Sequence, residues 1–578
     1  MGSIWQRRVR LATAASIGLL ATACGGGGGS GPGGGGPPPP PPPAGVTKAE
    51  AFDFLNQATF GATEAEAQRL QGLGDSTNAY GRWIDEQLQR PVSLELPHVQ
   101  AAYAALPPPV QNIGQLNEDR VDIWFRNAVN GPDQLRQRVA FALSEIMVVS
   151  QQSVLQRFPF ALADYYDTLA RDAFGDFRTL MEDVALHPAM GLYLSMLGNQ
   201  KPDVALNIRP DENFARELMQ LFSIGLVQLN ADGTEQRGAQ GESVPTYDQS
   251  VIEGFAHVYT GWNWAGATRF GQARPTLENQ VQPMQAYPEQ HDTGAKKVLG
   301  YPGAALVQIP ARIPADPARD LDDALDNIFN HPNVAPFIAR QLIQRLVTSN
   351  PSPAYVGRVA AVFANDGSGR RGNLGAVVRA LLLDPDARKP PTAATAGKVK
   401  EPLLRMTQLW RAYGARSQSG RYGAQNLTYS IGQGPLQAPS VFNFFSPGYA
   451  PPGEMSDQGL VAPEMQIATE YLNTLITNVL FVQTFCYTSA PVTGCPAVRP
   501  GLQPDLVMID ISAEAALAND PAALVARIAD KLLGGRISET LQAQARAAVE
   551  RAPATLGGLK VAEALYLVVT SPEYALQH

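Results

Sequence analysis

Cysteine is nearly absent from this chain, with three in 578 residues. Two of them, Cys486 and Cys495, close the short stretch "CYTSAPVTGC", and the third, Cys24, stands alone near the start. That is too few for a zinc site, and neither member of the close pair has a nearby histidine to make it a nucleophile. Charge is sparse as well: 17% of residues are charged and the net charge is −8. No basic cluster could neutralise a run of phosphates, which argues against nucleic acid as a partner. GxSxG, P-loop, CxxCH and HExxH patterns are all missing, and with them the signals of common hydrolases, NTPases, c-type haem proteins and zinc proteases. Strand-like alternation is scarce; the best stretches lie near Val298 to Gly300 and Leu306 to Ile309.

What is present begins with "MGSIWQRRVRLATAASIGLLATAC". Arg7, Arg8 and Arg10 form a positive segment, and Leu11 to Leu20 an apolar run too short to anchor permanently in a bilayer. Residues 1–24 therefore read as an export signal. Ala21 to Cys24 look like a bacterial lipobox, which makes Cys24 the expected lipidation site. Residues 25–45, "GGGGGSGPGGGGPPPPPPPAG", read as a tether. The glycine part spans roughly 20 Å as a coil and the seven prolines about 22 Å as a rod. No acidic residue follows Cys24, which favours the outer membrane or cell surface, with the periplasm as the alternative. In that oxidising setting Cys486 and Cys495 are expected to form a disulfide.

From Val46 onward the apolar period is helical, so the fold class expected is mainly α: a large multi-helix domain with long Gly/Pro-rich loops and few short strands. Thr63 and Glu66 have capping-box spacing, and Asp248 suits a helix N-cap. His187 and His331 each precede proline between helical runs and are expected to cap or join helices. "GSGRRG", Gly367 to Gly372, follows a helical run and reads as a turn between helices. A break near Lys389 to Lys398 divides a main helical part, residues 46–390, from a helical C-terminal part, residues 398–578.

Four stretches could carry chemistry. In "PDENFARELMQLFSIGL", Phe214, Leu218, Leu221 and Phe222 form a packed face, with Asn213, Glu217 and Gln220 on an adjoining polar stripe. Glu217 is expected to be buried, with a partner or a raised pKa, and Glu212 to claim Arg216. In "YDQSVIEGFAHVYTGWNW", Glu253 and His257 share a face at i, i+4, as an acid–base pair, a metal-binding pair or an ordinary hydrogen bond. "EQHDTGAKKVLGYPG" brings together His291, Asp292 and Lys296. "GQGPLQAPSVFNFFSPGYAPPG" sets Phe442, Phe444, Phe445 and Tyr449 among prolines, either to stack on sugar rings or to plug a helical core. No cofactor is called for, and a metal is left open.

These stretches, with "FLNQATFGAT" and "HPNVAPFIARQLIQRLV", resemble a large bacterial family catalogued only as a domain of unknown function, number 1800. The resemblance runs from about Phe52 to the C-terminus. It implies an exported, mostly helical protein and, by family association, an exported sulfatase-like partner. Many relatives carry a Trp/His-rich segment where this chain has "VAFALSEIMVV", and an arginine where it has His257.

Two functions fit. One is a lipid-anchored envelope protein with a structural, binding or assembly role. The other is an envelope hydrolase or related enzyme acting on a polymer or glycan, with Glu217, Glu253, His257, His291 and Asp292 as catalytic candidates. Asn213, Arg216, Lys296, Phe444 and Tyr449 would then bind substrate. That second reading expects these groups to meet in one cleft.

Overall fold

In the computed structural model, 25 α-helices carry the described residues, with only three two-stranded antiparallel sheets between them. The residues described are 45–107, 113–388, 396–423, 427–495, 502–553 and 555–577. Residues 1–24, where an export signal and a lipidated Cys24 are expected, and all of the expected tether except Gly45 lie outside them, as does most of the 389–398 break.

Local chemistry explains where helices begin. The helix Lys48–Ala58 opens with a complete capping box, in which Thr47 accepts from the Glu50 amide and Glu50 accepts from the Thr47 amide. At Thr63 only half of the expected box forms. Thr63 caps the Glu66 amide, but the Glu66 carboxylate is drawn away by Arg69 and by the Trp83 indole. Asp248 caps Val251 as expected. Both His-Pro junctions act as caps: Nδ1 of His187 accepts from the Ala189 amide, and Nδ1 of His331 from the Asn333 amide, each at 3.1 Å. Gly367, Gly369 and Gly372 turn the chain between two helices.

One hydrophobic core collects residues from Val46 to Tyr574, so the stretches on either side of the 389–398 break pack together. Lys398 and Val399 pair as a short strand with Gln577 and Leu576. Arg411 reaches across to the Gly61 and Val129 carbonyls at 2.7 and 2.6 Å. Cys486 and Cys495 are joined by a disulfide at the end of the helix Glu470–Phe485. Among the described residues no helix is long and apolar enough to cross a membrane.

The sheet most relevant to function pairs Lys296–Lys297 with Gln308–Ile309. The expected strand stretch at Val298 to Gly300 continues this pairing, through the Val298 amide to the Val307 carbonyl at 3.1 Å. Gly254 lets this hairpin lie against the helix Gln249–Val258: a Cβ there would meet the Lys297 carbonyl oxygen at 1.9 Å. Gly261, at φ +81°, turns the chain out of the same helix where a side chain would strike His291 and Tyr287.

Candidate functional site

His257 leaves the last turn of the helix Gln249–Val258 on its solvent side, with a third of its side chain exposed. Its Nδ1 meets the Asp292 carboxylate, which is more enclosed. The other Asp292 oxygen accepts from the Gly294 amide at 2.7 Å. The hydrogen bond from His257 leads the contributions that hold the Asp292 carboxyl down at about 2. An imidazole fixed at Nδ1 by an ionised carboxylate keeps Nε2 as its other basic nitrogen, the arrangement of a general base.

Thr260 ties this pair to the interior. Its hydroxyl donates to the His257 carbonyl at 2.7 Å and accepts from the Asp292 amide at 3.0 Å. The neighbouring His291 is buried, with Nδ1 2.8 Å from the Thr260 carbonyl and Nε2 3.0 Å from Asp320 Oδ2. Burial lowers its pKa to about 4. A neutral ring then has one proton for two facing oxygens, and one of those contacts lacks a hydrogen.

Lys296 sits at the centre of the same cluster, fully enclosed. Its three ammonium protons meet three oxygens: the Asp292 carbonyl at 2.7 Å, the Gly294 carbonyl at 2.9 Å and Asp320 Oδ2 at 2.6 Å. Burial still lowers its pKa to about 8. Arg312 closes the network by pairing with both Asp320 and Asp323. Sequence reasoning missed Asp320 and Arg312. The signal for Asp320 was faint: it shares the buried face of the helix Pro317–Phe329 with Ala324, Leu325 and Ile328 at helical spacing.

The other candidates stand apart from this network. Glu217 is buried as expected, and burial raises its pKa. Its Oε2 finds no hydrogen bond among the described residues, and neither does the hydroxyl of Tyr247, whose titration feels the Glu217 charge. Glu212 does claim Arg216, at 3.0 Å, and Asn213 is exposed. Glu253 is exposed, and His257 turns to Asp292 in place of it. In the aromatic loop Phe445 is buried, Phe444 and Tyr449 are half-buried and Phe442 is exposed. That loop is fastened elsewhere, by Gln344 donating to the Pro447 carbonyl at 3.2 Å. The structure therefore brings His257, His291, Asp292 and Lys296 together through Asp320 and Thr260. The hydrogen bonds and ion pairs that build this group come from its own members, without Glu217, Glu253, Phe444 or Tyr449. Among the described residues no three His, Cys, Asp or Glu side chains gather as a metal-binding set.

A second ionic cluster lies deeper, and sequence reasoning missed it too. Glu145, from the "VAFALSEIMVV" segment, is buried with Glu401, Glu464, Lys398, Arg138 and Arg345. Lys398 donates to Glu464 at 2.9 Å, and Gln433 donates to Glu401 at 2.6 Å. Burial, reinforced by the Glu401 charge, pushes the Glu145 carboxyl well up. Burial opposes ionisation of Glu401 as well, but Lys398 and Arg138 prevail and hold it low.

No curated protein matches the chain, and no solved structure does. The family model described as protein of unknown function (DUF1800) matches residues 53–576, nearly the whole chain. On that match, the protein belongs to the DUF1800 family.

Proposed function

We propose that this chain is an exported, lipid-anchored envelope protein whose helical body serves in binding or assembly. The observation that carries this reading is the expenditure of Lys296: all three of its protons go to oxygens of the chain itself. With Asp320 and Arg312 it forms an ionic lock, beside the neutral His291, in which every lysine proton is already taken. The arginine-rich start, the short apolar run and the lipobox-like Cys24 support export and anchoring. An exported sulfatase-like protein is the partner suggested by the family resemblance.

Fractionation of cells tests the anchor. Intact protein belongs in the outer-membrane fraction carrying lipid on Cys24, and Cys24→Ser should move it to the soluble periplasmic fraction. A Cys24→Ser variant that stays with the membrane would sink the lipid-anchor reading.

One observation favours a second reading, an envelope hydrolase acting on a polymer or glycan. The solvent-facing His257, backed by ionised Asp292, has the form of a general base. Asp292→Asn would keep the contact but remove the charge. Hydrolysis of a glycan panel by the intact protein, lost in that variant, would establish this reading in place of the first.

A further inference from the structure

A groove of about 470 Å³ opens between the N-terminal helix Lys48–Ala58 and the C-terminal end of the chain. It shares no residue with the His257 cluster. Most of its charged wall is internally paired. Arg536 meets Asp53, and Ser538 binds Glu573 through both its amide, at 3.0 Å, and its hydroxyl.

Lys400, also in the wall, is the exception. It is 6% exposed, its Nζ donates to Gln408 Oε1 at 2.7 Å, and it lies 4.5 Å from the centre of the Tyr574 ring. Among the described residues no carboxylate comes within ion-pair distance of it, whereas buried Lys296, Lys398 and Lys531 each have one at 2.6 to 2.9 Å. Buried Lys560 shares that lack, with Asn519 Oδ1 at 3.4 Å, but lies outside the groove. A buried ammonium offers three donors and a full charge, and one amide oxygen with one ring face satisfies it poorly. A neutral amine at that position needs only the one acceptor. Burial, helped by nearby Arg405, lowers the Lys400 pKa to about 7. A sizeable share of the side chain is then free amine at neutral pH, with a nucleophilic lone pair.

The composition of the wall selects the ligand. With Arg536 and Lys400 against Asp53 and Glu573, it has no surplus positive charge for an anion. Gln577, 2% exposed, has its Oε1 buried without a donor among the described residues. An amide oxygen without a donor favours a ligand hydroxyl once the side chain turns to reach it.

We propose that this groove takes a small hydroxylated aldehyde or ketone and holds it reversibly as an imine on Lys400. The Lys400 nitrogen attacks the carbonyl carbon, forming a C–N bond while the carbonyl oxygen gains a proton. Loss of water from that carbinolamine gives the imine, and addition of water reverses it. No oxidant or reductant is consumed.

The test uses the full chain, glyceraldehyde and cyanoborohydride to trap the imine, with modified lysines mapped by mass spectrometry. Lys400 is expected to react at pH 7 at least on the order of tenfold faster than exposed Lys201 and Lys297, since an ordinary surface amine is almost wholly protonated there. Its rate should saturate with glyceraldehyde and level off above about pH 8, while theirs stay linear in concentration and climb with pH. Lys400→Met should remove the fast phase alone. Modification of Lys400 no faster than of the surface lysines, or a rate without saturation, overturns the proposal.

Discussion

Asp320 and Lys296 meet at 2.6 Å with both side chains fully enclosed, on elements that the chain separates by 24 residues. The same carboxylate also receives Arg312 and His291. Because two cations share it, the folded state depends on this carboxylate more than on either cation singly.

Asp320→Asn keeps the shape but strands Lys296 without an anion and leaves Arg312 with Asp323 alone. The expected cost is about 3–5 kcal/mol, the usual penalty for breaking a buried pair from one side. Lys296→Met should cost less, because Arg312 still neutralises Asp320. Urea unfolding of the two variants checks the order, and an Asp320→Asn protein as stable as the parent contradicts it.

Gly254→Ala places a methyl group where the Lys297 carbonyl lies. The hairpin must then move off the helix Gln249–Val258, at a cost of about 1–3 kcal/mol for an overpacked contact. Because Asp292 sits just before that hairpin, the His257 resonance should also lose the carboxylate-bound environment it has in the parent. A Gly254→Ala variant with unchanged stability and an unchanged His257 spectrum would show that the hairpin does not seat there.

Glu217→Gln should hold or raise the thermal midpoint at neutral pH. Burial raises the Glu217 pKa, so the folded protein prefers the protonated form and loses stability as pH rises through that raised value. Glutamine removes the penalty. A loss on the order of 3 kcal/mol would instead reveal an ion pair.

His331 gives a pH dependence of opposite sign. Burial lowers its folded pKa to about 4, against about 6.5 unfolded. Its share of stability is complete above about pH 6.5 and is lost as pH falls toward 4, by roughly 3 kcal/mol at most. Protonating Nδ1 also abolishes the cap on Asn333. His331→Asn can still cap but cannot titrate, so its stability curve should be flatter across that window in denaturant titrations.

Reducing Cys486–Cys495 opens a loop whose ends lie nine positions apart and frees the unfolded chain of one constraint. Chain entropy assigns that about 2–3 kcal/mol. Cys486→Ala with Cys495→Ala should reproduce the effect of reductant, and a reductant effect persisting in that double variant would trace to something else.

Features governed by near neighbours along the chain were legible in the residue order. The helical period, the Asp248 cap, the His-Pro junctions, the Glu212–Arg216 pair and the burial of Glu217 all follow from spacing along one helix or turn. Glu253 and His257 show the limit. Their spacing allowed a pair, but His257 faces an aspartate 35 residues away that competes for it.

Taken alone, the order of residues determined a helical body, its cap positions and the disulfide, because backbone hydrogen bonding and short loop closure act over a few residues. Only tertiary structure decided which charges met. Asp320 became the hub, Lys296 was consumed and Lys400 was left, among the described residues, without an anion in ion-pair reach, because burial multiplies the cost of an unpaired charge and long-range packing alone sets the neighbours.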